Sequence, residues 1–174
     1  LHECEADLAA CQEDPGAVFP GDGYPEEGYP SGGAPLAYED NADGTFTDLN
    51  TGLIWEVKTL DGSIHDVGNR YSWSDPADAD FTNPDGTAFT QFIDVLNSDQ
   101  FAGYDEWRLP TVKELQSLID YSAFGPAAHL TFPGEVINND YWSSTSLANN
   151  TGLAWYVYFL NGEMEQALED LDRT

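Results

Sequence analysis

Basic residues are the scarcest class of side chain in this sequence. Five Lys and Arg residues stand against 32 Asp and Glu residues, which gives the 174-residue chain a formal net charge of −27. A chain with so few cations repels nucleic acid, anionic lipid and sulfated glycans. We therefore expect no nucleic-acid partner and weak binding to heparin-like glycans, and we interpret the charge mainly as a solvated exterior.

Long apolar runs are also missing, so the sequence offers no segment that could cross a bilayer, and we expect no membrane insertion. No signal-peptide pattern opens the chain, which favours a mature, soluble product. Cysteine occurs only at Cys4 and Cys11, and the three histidines, His2, His65 and His129, are not spaced as a metal-binding pair.

Catalytic motifs are absent as well. The sequence has no Gly-x-Ser-x-Gly turn, no Gly-rich phosphate loop and no cysteine nucleophile after residue 11. Carboxylates are so numerous that a glycosidase-like pair can be neither chosen nor excluded. We therefore predict that the protein is not an enzyme and has no catalytic residues.

The first 14 residues carry a heptad pattern. Leu1 and Leu8 are seven residues apart, and so are Cys4 and Cys11. In a helix the two cysteines would lie about 10 Å apart along the axis, too far to bond to each other. We predict that residues 1–14 end a coiled-coil stalk whose interchain disulfides join a homo-oligomer, with a trimer favoured. The alternative is a frayed tail with an intrachain bridge.

Residues 15–38 are rich in Pro, Gly and Tyr and contain the short repeat Gly23-Tyr24-Pro25 and Gly28-Tyr29-Pro30. This composition predicts a linker that is extended where proline dictates. The linker either lies against a protein surface through its tyrosines or is simply flexible.

Residues 39–174 are predicted to form one globular α+β domain. A hairpin is indicated between Asp40 and Val57 by the turn sequences Asp43-Gly44 and Asn50-Thr51-Gly52. Apolar residues at helical spacing predict a first helix that ends near Asn97; they are Phe89, Phe92, Ile93 and Leu96. Further strands are predicted at 141–145, 153–160 and 163–167, the last two joined by a type I′ turn at Asn161-Gly162.

A second helix is predicted to begin at Thr111, because Thr111 and Glu114 have the spacing of a capping box. Its apolar stripe would contain Val112, Leu115, Leu118 and Ile119, and would carry the helix to about Tyr121.

Six motifs in order carry a family resemblance. They are Asp43-Gly44-Thr45-Phe46-Thr47-Asp48, Thr51-Gly52-Leu53-Ile54-Trp55, Trp107-Arg108-Leu109-Pro110-Thr111, Lys113-Glu114-Leu115, Tyr141-Trp142-Ser143-Ser144-Thr145 and Ala154-Trp155-Tyr156-Val157. Through them, residues 40–167 resemble the Legionella collagen-like protein C-terminal domain family. The resemblance implies a secreted or surface-exposed α+β domain similar to the C-type lectin fold, used for adhesion or ligand binding. It also implies a closing strand rich in Tyr and Val, which this chain lacks or replaces.

Aromatic residues are the candidate ligand-binding groups. Tyr141, Trp142, Tyr156 and Tyr158 are candidates for stacking on sugar rings, although burial in the core is the alternative. Trp55, Trp107 and Trp155 are predicted to be structural. Thr111, Glu114 and Arg108 are also predicted to be structural. We expect Arg108 to be an internal anchor that pairs with Glu114, Asp105 or a backbone carbonyl.

Calcium is the one cofactor that the sequence indicates. Oxygen-bearing side chains cluster at two turns and are the candidate metal ligands; they are Asp40, Asn41, Asp43, Asp48, Asn138 and Asp140. The alternative is that these side chains bond their own backbone in Asx turns.

These observations predict a non-enzymatic adhesin or ligand-binding module, extracellular or at the cell surface, for a surface glycan or protein ligand. Glycan binding predicts an exposed aromatic cleft on each head. The alternative is a structural subunit of an extracellular filament or surface appendage, which predicts large interfaces that involve residues 1–38.

Overall fold

Two separate three-stranded antiparallel sheets and a few short helices make up the described part of the chain, residues 35–75, 77 and 83–168 of a computed structural model. The predicted α+β class is confirmed. The predicted stalk, with Cys4 and Cys11, and nearly all of the predicted linker lie outside the described residues.

The first sheet consists of β1 (Tyr38–Asp40), β2 (Thr45–Asp48) and β3 (Ile54–Glu56), in that order. The predicted hairpin is therefore confirmed, and β1 adds a strand that starts within the residues assigned to the linker. Gly44 and Gly52 stand at the two turns with positive φ angles of 89° and 74°, which glycine adopts without a Cβ penalty.

The first predicted helix is present and ends one residue after the predicted position. A π-helical segment, Ala88–Ile93, continues as helix α1, Asp94–Ser98, and a single 3₁₀ turn follows at Phe101–Gly103. Phe92, Ile93 and Leu96 are buried, as their spacing predicted.

Helix α2 spans Val112–Gln116 and begins with the predicted capping box. The Thr111 hydroxyl accepts from the Glu114 N–H at 3.3 Å, and the Glu114 carboxylate accepts from the Thr111 N–H at 2.7 Å. The predicted extension to Tyr121 is wrong. The Ser117 hydroxyl donates to the Glu114 carbonyl. The Asp120 N–H donates to the Ala127 carbonyl and not to a carbonyl of the preceding helical turn.

The second sheet consists of β4 (Asp140–Leu147), β5 (Asn150–Tyr158) and β6 (Glu163–Leu168), in that order. Tyr158 pairs with Glu163, so four residues connect β5 and β6. The predicted two-residue type I′ turn is therefore wrong, because Phe159 continues into the core before the chain reverses. The Asn161 side chain then accepts from the Glu163 N–H at 3.1 Å.

Strand β5 separates two hydrophobic cores. Ala154 and Tyr156 belong to the first core, which also contains Phe92, Leu96 and Trp142. The neighbouring side chains of the same stretch, Val157 and Phe159, belong to the second core with Phe46, Leu115 and Leu118. Successive side chains of a strand point to opposite faces, so the second sheet is buried on both faces near β5.

Candidate ligand-binding cavity

A cavity of about 310 Å³ lies where the first sheet, the π-helical segment, α2 and β4 meet. Its volume is at the lower end of the roughly 300–1,000 Å³ range of small-molecule sites. Nine aromatic side chains line it: Phe46, Trp55, Tyr71, Phe92, Trp107, Phe132, Tyr141, Trp142 and Phe159. Both hydrophobic cores contribute to this lining, so the cavity is continuous with the interior of the domain.

Hydrogen bonds hold two of the tryptophans in place. The indole N–H of Trp142 donates to the Tyr71 carbonyl at 3.0 Å, and that of Trp107 donates to the Phe101 carbonyl at 3.0 Å. The Asn97 side chain bonds both to the N–H and to the carbonyl of Trp107, at 2.6 Å and 2.9 Å. These rings therefore form a preorganised wall.

Trp55 differs from these neighbours. Its ring lines the cavity from β3, and its Nε1–H is buried without a hydrogen-bond partner. Within the described residues, the only other buried side-chain polar atom without a partner is Ser74 Oγ, and Ser74 does not line the cavity. The Trp55 indole N–H is therefore unsatisfied within the described part of the protein.

An ion pair lies at one side of the cavity. Arg108 donates to both carboxylate oxygens of Glu114, at 2.9 Å and 2.7 Å, and to the Leu109 carbonyl at 3.1 Å. The Arg108 hydrogen bonds lower the pKa of Glu114 from 4.5 to about 2. The predicted pairing of Arg108 with Glu114 is thus confirmed, although the Arg108 side chain is 57% exposed and not internal.

A second charged group involves Glu56. Its carboxylate lies 2.9 Å from Lys58 Nζ and 2.6 Å from His65 Nδ1, and Lys58 Nζ lies 4.3 Å from the centre of the Phe92 ring. With Glu106 and Glu135, the lining contains four carboxylates and two cations, and both cations are already paired. The charged part of the lining is therefore net negative.

Two of the four predicted ligand-binding residues line the cavity. Tyr141 and Trp142 line it, and burial raises the pKa of Tyr141 to about 12. Trp142 is only 3% exposed, so its ring belongs to the inner wall and not to an outer stacking surface.

The other two predicted residues, Tyr156 and Tyr158, are not among the lining side chains. Tyr156 is 7% exposed, and its hydroxyl donates to Glu165 at 2.7 Å. Trp55 and Trp107 line the cavity instead of these two tyrosines. The sequence analysis had assigned both tryptophans only a structural role. Trp155, the third tryptophan of that group, is partly buried and does not line the cavity. No pattern in the sequence marks which tryptophans share a cavity, because segments far apart in the chain supply them: β3, the residues before α2, and β4.

Most of the predicted calcium ligands form hydrogen bonds within their own turns. Asp43 accepts from the N–H and hydroxyl of Thr45, Asp40 accepts from Ala42, and Asp48 accepts from Asn50 and Thr51. Asn41 bonds to the Thr45 and Thr47 hydroxyls. Asn138 is exposed, and Asp140 opens β4.

The described residues contain no group of three or more His, Cys, Asp and Glu side chains that could hold a metal ion. The geometry therefore favours the Asx-turn alternative over a calcium site at these turns.

The family motifs meet at the edge of the cavity. The Pro110 carbonyl accepts from the Ser144 N–H at 2.7 Å, and the Val112 N–H donates to the Thr145 hydroxyl at 3.1 Å. The Trp73 indole donates to the Ser143 carbonyl at 2.9 Å. The Trp107–Thr111 motif and the Tyr141–Thr145 motif are thus two sides of one packed unit.

Taken together, these elements define a small α+β domain with an aromatic interior. Residues 44–172 match the Lcl C-terminal domain family, and the chain belongs to that family. Neither a curated protein nor a solved structure matched the chain. Among the described residues, no helix is long and apolar enough to cross a membrane.

Proposed function

We propose that this protein is a non-enzymatic ligand-binding module at the cell surface or in the extracellular space, and that the aromatic cavity is its site. The observation that carries the proposal is the cavity lined by nine aromatic rings. A lining that is mainly aromatic and apolar is typical of small-ligand sites. The ligand is the ring-bearing part of a surface glycan or of a surface protein.

Family membership supports the surface location. We further propose that the α+β head has the C-type-lectin-like arrangement and that disulfide-linked stalks join several heads into an oligomer. The mixed sheet and helix content of the head is compatible with that arrangement.

The test is a screen of neutral and sulfated glycans against the wild-type chain and a cavity-filling variant. Ala88 is buried and lines the cavity, so Ala88→Leu should reduce the space and abolish binding. The matched control is Val95→Leu, because Val95 is exposed and does not line the cavity. Neutral glycans should bind the wild type and the control alike. Equal binding to Ala88→Leu would place the site elsewhere.

A structural subunit of a filament or surface appendage remains the second candidate. Tyr121, Phe124 and Leu130 are large apolar side chains exposed between α2 and β4, and exposed apolar groups often mark contacts between proteins. Electron microscopy of native material distinguishes the two candidates. Continuous polymers support the structural role, and isolated oligomers support the binding module.

A further inference from the structure

We propose that a smaller hollow beside the cavity is a second sugar subsite, so that this domain binds a neutral glycan through at least two adjoining units. This outer hollow has a volume of about 210 Å³ and is lined by Ile54, Tyr104, Glu106 and Trp107. Ile54, Glu106 and Trp107 also line the cavity, so the two spaces adjoin along these three side chains. The inference rests on the proposed function and commits its ligand to a glycan.

Tyr104 is the one lining residue that the outer hollow does not share with the cavity. It is 45% exposed, whereas Trp142 in the cavity wall is 3% exposed. The Tyr104 ring meets the Trp107 ring edge to face, with centres 6.0 Å apart and planes at 90°. A tyrosine combines an apolar ring with a hydroxyl that can stay in water, and the C–H groups of a sugar pack against such a ring. The outer hollow thus has the exposed aromatic surface that glycan binding predicts.

The backbone before Tyr104 holds the two rings in place. The Phe101 carbonyl accepts from the Tyr104 N–H at 3.0 Å and from the Trp107 indole N–H at 3.0 Å. Gln100 and Ala102 have positive φ angles of 50° and 53°, and they are two of the three non-glycine residues with positive φ in the described part of the chain. Such conformations are strained and cluster at binding and catalytic sites. The outer hollow is therefore built on a fixed turn.

The charge of the lining selects an uncharged ligand. Glu106 is exposed and is the only charged side chain of the four that line the outer hollow. Its carboxylate can accept hydrogen bonds from sugar hydroxyls and repels sulfate and carboxylate groups. The two cations of the cavity, Lys58 and Arg108, do not line the outer hollow. Aromatic rings beside a single acceptor therefore fit a neutral sugar and oppose an acidic one.

Oligosaccharides of increasing length test the inference on the full chain. The probes are fragments of cellulose, chitin and mannan with one to four sugar units, and isothermal titration calorimetry measures their affinities. In at least one series, the wild type should bind the two-unit fragment about tenfold more tightly than the monosaccharide, because the second unit gains an aromatic contact and a hydrogen bond. A sulfated two-unit fragment of the same series should bind more weakly than the neutral one.

The matched variants change the exposed ring. Tyr104→Ala removes it and should abolish the gain with length while the monosaccharide affinity stays at the wild-type value. Tyr104→Phe keeps the ring and should retain most of the gain. The control is Tyr121→Ala, because Tyr121 is 57% exposed and lines neither space. This control should bind every fragment as the wild type does.

Three results would overturn the inference: equal affinity for one-unit and longer fragments, a gain with length that persists in Tyr104→Ala, and no binding of any series. Its failure can be told apart from that of the proposed function. If Ala88→Leu abolishes glycan binding but length brings no gain, the cavity stands alone as the site. If Tyr104→Ala abolishes the gain and Ala88→Leu binds every fragment as the wild type does, the outer hollow stands and the cavity assignment fails.

Discussion

Asn97 shows how a single residue fixes the candidate site. Its side chain bonds to the N–H and the carbonyl of Trp107 as a neighbouring strand would, and so connects the end of α1 with the Trp107–Thr111 motif. The sequence predicted only that a helix ends near Asn97. It did not predict this contact, because helical periodicity describes apolar residues and says nothing about the partner of a polar side chain at a helix end.

Trp107→Ala should be the more harmful of two substitutions in this motif. The Trp107 ring packs against the first core and donates to Phe101, so its removal should cost roughly 3–5 kcal/mol. Thr111→Ala removes one capping bond at an exposed position and should cost about 1 kcal/mol. Urea unfolding of both variants measures the two losses. If Trp107→Ala were the milder change, the ring would not contribute to the core.

The Arg108–Glu114 pair predicts an acid-sensitive contribution to stability. The pKa of Glu114 falls from 4.5 to about 2 in the folded protein, so the pair stabilises the fold fully above about pH 4.5 and loses this effect as the pH falls towards 2. Because Arg108 is largely exposed, the contribution should be at most about 1 kcal/mol.

Glu114→Gln should remove this part of the pH dependence of the free energy of unfolding. Glu106→Gln is the control, since Glu106 is exposed and lies outside the ion pair. An unchanged pH profile in Glu114→Gln would show that other carboxylates account for acid sensitivity.

At the level of elements, the sequence predicted the presence of the strands and helices better than their exact bounds. The capping box is a local pattern and is confirmed, and the strand predicted at 153–160 overlaps β5, Asn150–Tyr158. The early end of α2 at Gln116 and the four-residue connection after Tyr158 depend on contacts across the fold. The Ala127 carbonyl accepts a hydrogen bond from the Asp120 N–H, and no local sequence pattern predicts that pairing.

Gly162 is a position in a connection between strands where substitution should be costly. Its φ is 78°, and an added Cβ would lie 2.5 Å from Ile119 Cγ2, so Gly162→Ala should combine backbone strain with overpacking between the β5–β6 connection and the second core. Gly62 has a φ of 75° and open space around it. Gly62→Ala should therefore cost only the strain, about 1 kcal/mol.

Chemical denaturation of the two glycine variants separates these terms. We expect Gly162→Ala to lose about 1–3 kcal/mol more than Gly62→Ala, which is the usual range for overpacking. Equal losses would mean that Ile119 moves aside freely and that the connection is not tightly packed.

The whole molecule is dominated by its charge. A formal net charge of −27 on 174 residues concentrates like charges in the folded state, so self-repulsion opposes folding. The same charge argues against polyanionic ligands, in agreement with a cavity whose two cations are already paired. The sequence predicted this exclusion directly, because it depends on composition alone, whereas the cavity depends on residues from both sheets.

Salt should raise the melting temperature of this protein, because the Debye length falls from about 30 Å at 0.01 M to about 3 Å at 1 M ionic strength. At matched ionic strength we expect sodium, magnesium and calcium chloride to act alike, since Asp40, Asp43 and Asp48 already accept hydrogen bonds in their own turns. Melting curves in the three salts make the comparison, and Asp43→Asn provides the variant. A calcium-specific increase that disappears in Asp43→Asn would contradict this expectation and would establish the calcium site at the β1–β2 turn.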